Sequence, residues 1–231
     1  MAKKLLIVID GPAGAGKSTV ARILAKKLGY RYLDTGATYR VVALKAEQEG
    51  ITPEMTEELR RLCAEIEIKF EEAEQGQRVY CDGRDVTEAI RTPEISMLAS
   101  KISQQRVVRE AMTQLQRRVG GPGVVAEGRD MGTVVFPQAD VKFYLDATPQ
   151  ERGRRRYREL LARGISADLS QVIEETIKRD QEDQNRKVAP LQMAQGAFYI
   201  DSTGMSPEEV VQKMLAEISK RGGNGAGDGG K

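Results

Sequence analysis

Histidine and tryptophan are absent from this chain of 231 residues, cysteine occurs twice, and no uninterrupted apolar run comes near membrane length. Each absence removes a class of function. Without histidine there is no Ser-His-Asp or Cys-His nucleophile and no imidazole metal ligand. Chemistry must therefore rest on Lys, Arg, Asp, Glu, hydroxyls and backbone. Cys63 and Cys81 lie outside any CxxC or Cys/His spacing, which argues against a disulfide framework or a zinc site and for reduced core thiols. A membrane span requires roughly 18 apolar residues, and a secretory leader requires a small-residue cleavage site after its apolar stretch. MAKKLLIVID instead runs straight into a glycine motif, so the expectation is a soluble, cytoplasmic protein with no membrane partner. An excess of one charge is missing too. With 36 basic and 34 acidic residues, a net +2, there is no electrostatic case for a nucleic-acid partner.

What is present alternates between strand and helix patterns. Leu5 to Ile9 is a continuous apolar, β-branched run ended by Asp10 and Gly11, the pattern of a buried parallel strand. Beyond the glycine turn, Val20, Ile23, Leu24 and Leu28 keep helical spacing as far as Gly29, a C-cap residue. Gly123 to Ala126 and Val141 to Leu145 read as further strands, each ending in a charged group, and Phe198 to Ile200 as another. Between the first unit and Gly123 the texture changes. Helices are predicted near Tyr39 to Glu49 and Glu54 to Glu65, and one helix from Pro93 through Gln116. An antiparallel hairpin is predicted from Ile66 to Phe70 and Arg78 to Cys81, with its gap at Gln75-Gly76. Such a segment within an α/β chain reads as an inserted lobe. Glu151 to Lys187 is charged and helical with a break at Gly164, Pro207 to Lys220 is a last helix, and the glycine-rich tail 222–231 is expected to be disordered.

Gly11-Pro12-Ala13-Gly14-Ala15-Gly16-Lys17-Ser18, followed by Thr19, fits GxxxxGK[ST] between a predicted strand and a predicted helix. Glycines let successive N–H groups turn inward as an anion nest at a helix N-terminus. Lys17 would reach the β- and γ-phosphates, and Ser18 would ligate Mg²⁺. From average glycine usage, chance would produce this pattern in roughly one such chain per hundred, before the strand and helix are required. A signalling GTPase would also carry NKxD, which does not occur here. A kinase of a small acceptor remains, beside a non-catalytic ATP-sensing protein. Bringing an anionic acceptor to ATP sets like charges against one another and needs cations around both. Asp34-Thr35-Gly36-Ala37-Thr38-Tyr39-Arg40 follows the first helix where the second strand of a βαβ unit should end, and Glu127-Gly128-Arg129-Asp130-Met131-Gly132 follows a strand likewise. Read singly, each is equally an ordinary polar turn with a surface ion pair. In a parallel sheet, both would arrive at the edge that carries the phosphate loop.

GPAGAGKST, LDTGATYR, IRTPEISMLASKISQQRVVRE, EGRDMGTVVFP, VKFYLDA and RDQEDQNRKVAPL, in that order, resemble the bacterial cytidylate kinase family over about residues 5 to 220. The resemblance implies an α/β P-loop kinase fold with a central parallel sheet. It implies a core at 1–36 and 113–221, a lid about 152–168, and an inserted nucleoside-monophosphate-binding lobe at 37–112. It implies phosphorylation of CMP and dCMP by ATP with Mg²⁺, in a monomer. It implies that Arg40 and Arg129 grip the acceptor phosphate, assisted by Thr35 and Tyr39. Ser100, Arg109 and Asp130 would face cytosine, Arg179 and Asp183 the sugar, and Arg186 the transferring phosphoryl. Arg155 and Arg156, with Arg152, resemble a lid arm over ATP, although a charged helical segment is often only a solvated face. Thr35 stands where serine is frequent in the family and keeps the hydroxyl. A related kinase preferring UMP or another base is the alternative.

Overall fold

The computed structural model describes residues 3–73 and 76–221; the tail 222–231 and Gln75 of the hairpin gap lie outside them. In chain order the elements are β1 (Leu6–Asp10), α1 (Lys17–Leu28), β2 (Arg31–Asp34), α2 (Thr35–Gln48), α3 (Thr56–Glu65), β3 (Ile68–Ala73), β4 (Gly76–Cys81), β5 (Arg84–Asp85), α4 (Pro93–Ile102), α5 (Arg106–Val119), β6 (Val124–Gly128), β7 (Val141–Asp146), α6 (Pro149–Ala162), α7 (Leu169–Asn185), β8 (Phe198–Asp201) and α8 (Pro207–Lys220). The central sheet is parallel, with five strands in the order β2-β6-β1-β7-β8. The chain divides into two units, Met1–Arg31 with Pro122–Lys231, and Tyr32–Gly121.

In the first unit, β1 is the innermost strand. Ile7, Val8 and Ile9 have no exposed surface, as a strand covered on both faces requires, and burying each such side chain is worth about 1.5–3 kcal/mol. The register sets Asp10 level with Gly128 of β6 and Tyr144 of β7, and Asp146 level with Asp201 of β8. β1, β6, β7 and β8 therefore end at one edge, where the following loops collect. α1 buries Val20, Ala21 and Leu24 and packs against β6 and α8. α8 starts at a capping box made by Ser206 and Glu209, which satisfies two N–H groups the helix would otherwise leave open. α6 and α7 pack closely because residue 153 is glycine: a Cβ there would collide with Ile173.

The second unit packs α2 to α5 around a separate core that includes Leu59, Ile90, Ile102 and Met112. Its three-stranded sheet runs β3-β4-β5, with β3 and β4 antiparallel and Ile68 opposite Cys81. Both thiols are free, and burial pushes each up to about 11, so they are protonated at neutral pH.

Three local expectations change. The helix expected to run from Pro93 through Gln116 is two helices, α4 and α5. Ser103 Oγ turns back to Ser100 O (2.8 Å), Gln104 and Gln105 close short turns onto Lys101 and Ile102, and Gln105 leaves the helical conformation. α2 begins at Thr35 rather than near Tyr39, because Asp34 is its N-cap and accepts from Ala37 N at 3.0 Å. The turn after β6 is a single π-helical turn, with Val135 N on Asp130 O (3.1 Å) and Phe136 N on Met131 O (2.6 Å).

Candidate active site

The loop between β1 and α1 is set by glycine. Gly11, Gly14 and Gly16 have φ of 148°, 75° and 92°, a region that side-chain-bearing residues disfavour, and a Cβ on Gly11 would overlap Leu145 O. Ser18 and Thr19, in the exposed first turn of α1, follow Lys17, which is buried and donates through Nζ to Pro12 O at 2.7 Å. Burial lowers the Lys17 pKa to about 7; the charge of Arg129 adds to this, and Glu127, Asp183 and Asp10 oppose it.

Two arginines of α6 support this loop from beneath. Arg152, 3 % exposed, donates to Ala147 O (2.8 Å), Ala13 O (3.1 Å) and Asp180 Oδ2 (2.5 Å). Arg155 reaches Ala15 O (3.2 Å) and Ser202 Oγ and O (3.0 and 2.8 Å), and pairs with Glu151. Arg156 is turned to Glu159 at 3.0 Å. Two backbone carbonyls of the phosphate loop are thus held by guanidinium groups.

A second cluster lies at the ends of β6 and α7. Arg129 Nε donates to Asp183 Oδ2 at 3.0 Å. Arg186, after the end of α7, stands 3.5 Å from Asp183 Oδ1 and 3.9 Å from Asp130 Oδ1, with its Nε on Ala189 O. Burial alone would raise the pKa of Asp183, but Arg129, Arg179 and Arg186 together hold it below the ordinary value. Asp130 is 1 % exposed. Lys17, Arg129, Asp130, Arg179, Asp183 and Arg186 therefore form one electrostatically connected group in the first unit. It can neutralise several phosphate charges where little solvent screens them.

In the second unit, the N-terminus of α2 gathers the remaining candidates. Arg40 Nη2 pairs with Asp34 at 2.6 Å. Thr35 is buried, and its carbonyl accepts from Thr38 Oγ1 (2.7 Å) and Gln116 Nε2 (3.3 Å). Arg109 lies over the Tyr39 ring at 5.2 Å and donates to Ser103 O at 3.1 Å. That bond caps the break between α4 and α5 with a side chain of α5. Ser100 is half-buried, its carbonyl taken by Ser103. Sequence reasoning passed over Asp10, Gln116, Asp180 and Ser202. Asp10 alone carried a signal, as a carboxylate closing a wholly apolar strand.

A parallel α/β core whose first strand leads through a glycine nest and a buried lysine into a helix defines a P-loop phosphate-binding protein. The cytidylate kinase family model matches residues 7–220. A cytidylate kinase of Syntrophotalea carbinolica is 50 % identical over 222 residues, 96 % of this chain and 94 % of that one, and one of Geobacter sulfurreducens is 50 % identical over 218 residues, 94 % of each. Among solved structures, an uncharacterised protein from Eubacterium ventriosum shares the fold, with a TM-score of 0.51 at 9 % identity over 94 % of this chain and 99 % of that one. The chain belongs to the cytidylate kinase family and is a phosphotransferase.

Proposed function

We propose that the enzyme transfers the γ-phosphoryl group of ATP to CMP and dCMP, giving CDP and dCDP. The observation that carries this reading is the group of buried Lys17, half-buried Arg129 and the buried Arg186 side chain beside the phosphate loop, in a chain half identical to cytidylate kinases along nearly its whole length. ATP is assigned to Gly11 to Thr19 with Arg155 and Arg156, and CMP to Thr35, Tyr39, Arg40, Ser100, Arg109, Arg129, Asp130, Arg179 and Asp183. The attacking atom is a phosphate oxygen that is already anionic at neutral pH, so no general base is needed. The residues act by positioning both phosphates and neutralising charge as it moves to the bridging oxygen. The arginines supply fixed positive charge, and Lys17 adds its own when protonated.

Mg²⁺ fits this donor set. Ser18 offers one hydroxyl at an exposed helix start, and among the described residues no group of three or more His, Cys, Asp or Glu could hold a cation alone. Mg²⁺ keeps most of its ligands as water and nucleotide oxygens, and when bound it supplies neutralisation of the β- and γ-phosphates. Among the described residues no helix is long and apolar enough to cross a membrane, in keeping with small nucleotides as partners.

An ADP-release assay with CMP, dCMP, UMP, AMP and GMP in turn tests the reading. CMP and dCMP should be phosphorylated rapidly, and ATP alone hydrolysed slowly. A faster rate with another base, or a rate indifferent to the acceptor, would refute it.

A further inference from the structure

Asp10 closes β1, level with Gly128 on one side and Tyr144 on the other, and is 2 % exposed. Its Oδ1 accepts from Met131 N and its Oδ2 from Gly132 N, both at 2.7 Å. Those N–H groups open the π-helical turn, and the first donors of any helical turn have no partner within it. A single carboxylate, reaching across from the neighbouring strand, supplies both missing acceptors. The residues just before them are Arg129 and Asp130, so the same two bonds hold the exit of β6 against the end of β1. Gly132 permits the approach: a Cβ there would lie 3.3 Å from Asp10 Oδ2 and 3.0 Å from Ala194 Cβ.

The geometry points to Asp10 as a positioning residue for base selection, pinning Met131 and Gly132 so that Asp130 presents its carboxylate at one fixed place. The inference rests on the cytosine-facing role proposed above for Asp130. Two acceptors are needed, and only the ionised carboxylate has both to give. Asparagine keeps one oxygen and sets an amide donor against an N–H. Protonation does the same more mildly, by turning one acceptor into a donor.

The device is therefore sensitive to pH. Burial raises the Asp10 pKa to about 6; the bonds from Gly132 and Met131 oppose this, Asp130 adds to it, and Lys17 subtracts from it. The other groups facing Asp10 are Tyr144, which burial and then nearby carboxylates push up to about 12, and Lys142, whose stem lies against Gly132 while its Nζ turns away to Pro137 O. Lys17 titrates near 7, and it belongs to the ATP side.

Two measurements decide the matter. In ¹⁵N-labelled wild-type enzyme, the amide protons of Met131 and Gly132 should shift together between pH 5 and 8 with one midpoint near 6, and flat traces would overturn the pH dependence without any variant having to fold. In steady-state kinetics at pH 7.5, Asp10→Asn should lower kcat/KM for CMP at least tenfold more than for UMP, with the KM for ATP within twofold of wild type. The wild-type CMP/UMP ratio should fall at pH 5.5, and the variant's should not. Equal losses on CMP and UMP would make Asp10 a purely structural cap and overturn the inference. Asp130→Ala, run alongside, separates the two readings: if it narrows the CMP/UMP ratio and Asp10→Asn does not, positioning by Asp10 fails alone. If Asp130→Ala leaves the ratio unchanged, the base-reading role falls and takes this inference with it.

Discussion

Replacing Arg152 with methionine isolates what the support beneath the phosphate loop contributes. Arg152 is 3 % exposed and Asp180 8 % exposed, so removing the cation strands a carboxylate in the interior. Asp180 Oδ2 loses its arginine partner, and its Oδ1 is buried with no hydrogen bond. Breaking a buried pair from one side costs about 3–5 kcal/mol, and the orphaned carbonyls of Ala13 and Ala147 each add up to about 1–3 kcal/mol unless water reaches them. With a urea slope of about 3 kcal/mol/M, as the upper end of the usual range, the unfolding midpoint should fall by more than 1 M. The double variant Arg152→Met, Asp180→Leu removes both charges. It should recover about 2 kcal/mol or more of the loss, since replacing a buried pair by apolar side chains is often neutral or better. The pair should therefore show a coupling energy toward the upper end of the 0.5–3 kcal/mol seen for contacting residues, on the order of 2 kcal/mol. Urea titrations of the wild type, both singles and the double variant, followed by far-ultraviolet circular dichroism, close the cycle. A single-variant loss below about 1 kcal/mol, the range of exposed pairs, or a coupling near zero, would show that the pair is solvated and would refute the reasoning.

Lys17 gives a pH signature. Its folded pKa near 7 lies below the ordinary 10.5, so between those values the unfolded chain binds more protons and stability should rise with pH, by up to about 1.4 kcal/mol per unit; Lys17→Met should flatten that slope in urea titrations. The same lysine must regain its proton to meet a triphosphate, so calorimetry of ATP binding at pH 8 in two buffers should show proton uptake, absent in the variant. Arg129→Ala should lower kcat/KM for CMP and UMP alike, because a phosphate carries no base identity, whereas Asp130→Ala should hurt CMP more; the upper bound for discrimination by a buried hydrogen-bonding site is roughly 10⁴-fold. Gly11→Ala places a methyl group on Leu145 O at a φ of 148° and should destabilise the core by several kcal/mol, on the scale of overpacking and backbone strain together, read as a lost urea midpoint.

Some of this protein was determined by local chemistry and some only by packing. The phosphate loop belongs to the first kind, because its nest is made of glycines and backbone at consecutive positions, and GPAGAGKS specifies it with the strand and helix on either side. So do β1 and β6, whose apolar runs suit burial on both faces, and α8, whose Ser206 and Glu209 announce its start. Helix boundaries set by a cap were less legible: the single residue Asp34 moves the start of α2 to Thr35, and three short hydrogen bonds at Ser103 to Gln105 divide one periodic segment into α4 and α5. Tertiary structure alone decided which arginines of α6 face the interior. Arg152 and Arg155 sit among other charged residues with the same helical spacing, and only the packing of α6 on α7 and beneath the phosphate loop assigns one to Asp180 and Ala13 and the other to Ser202 and Ala15. The pairing of Asp10 with Met131 and Gly132 is of the same kind. It joins residues more than a hundred positions apart, and it exists because β1 and β6 are neighbours in the sheet, a fact of topology that no local pattern in the chain encodes.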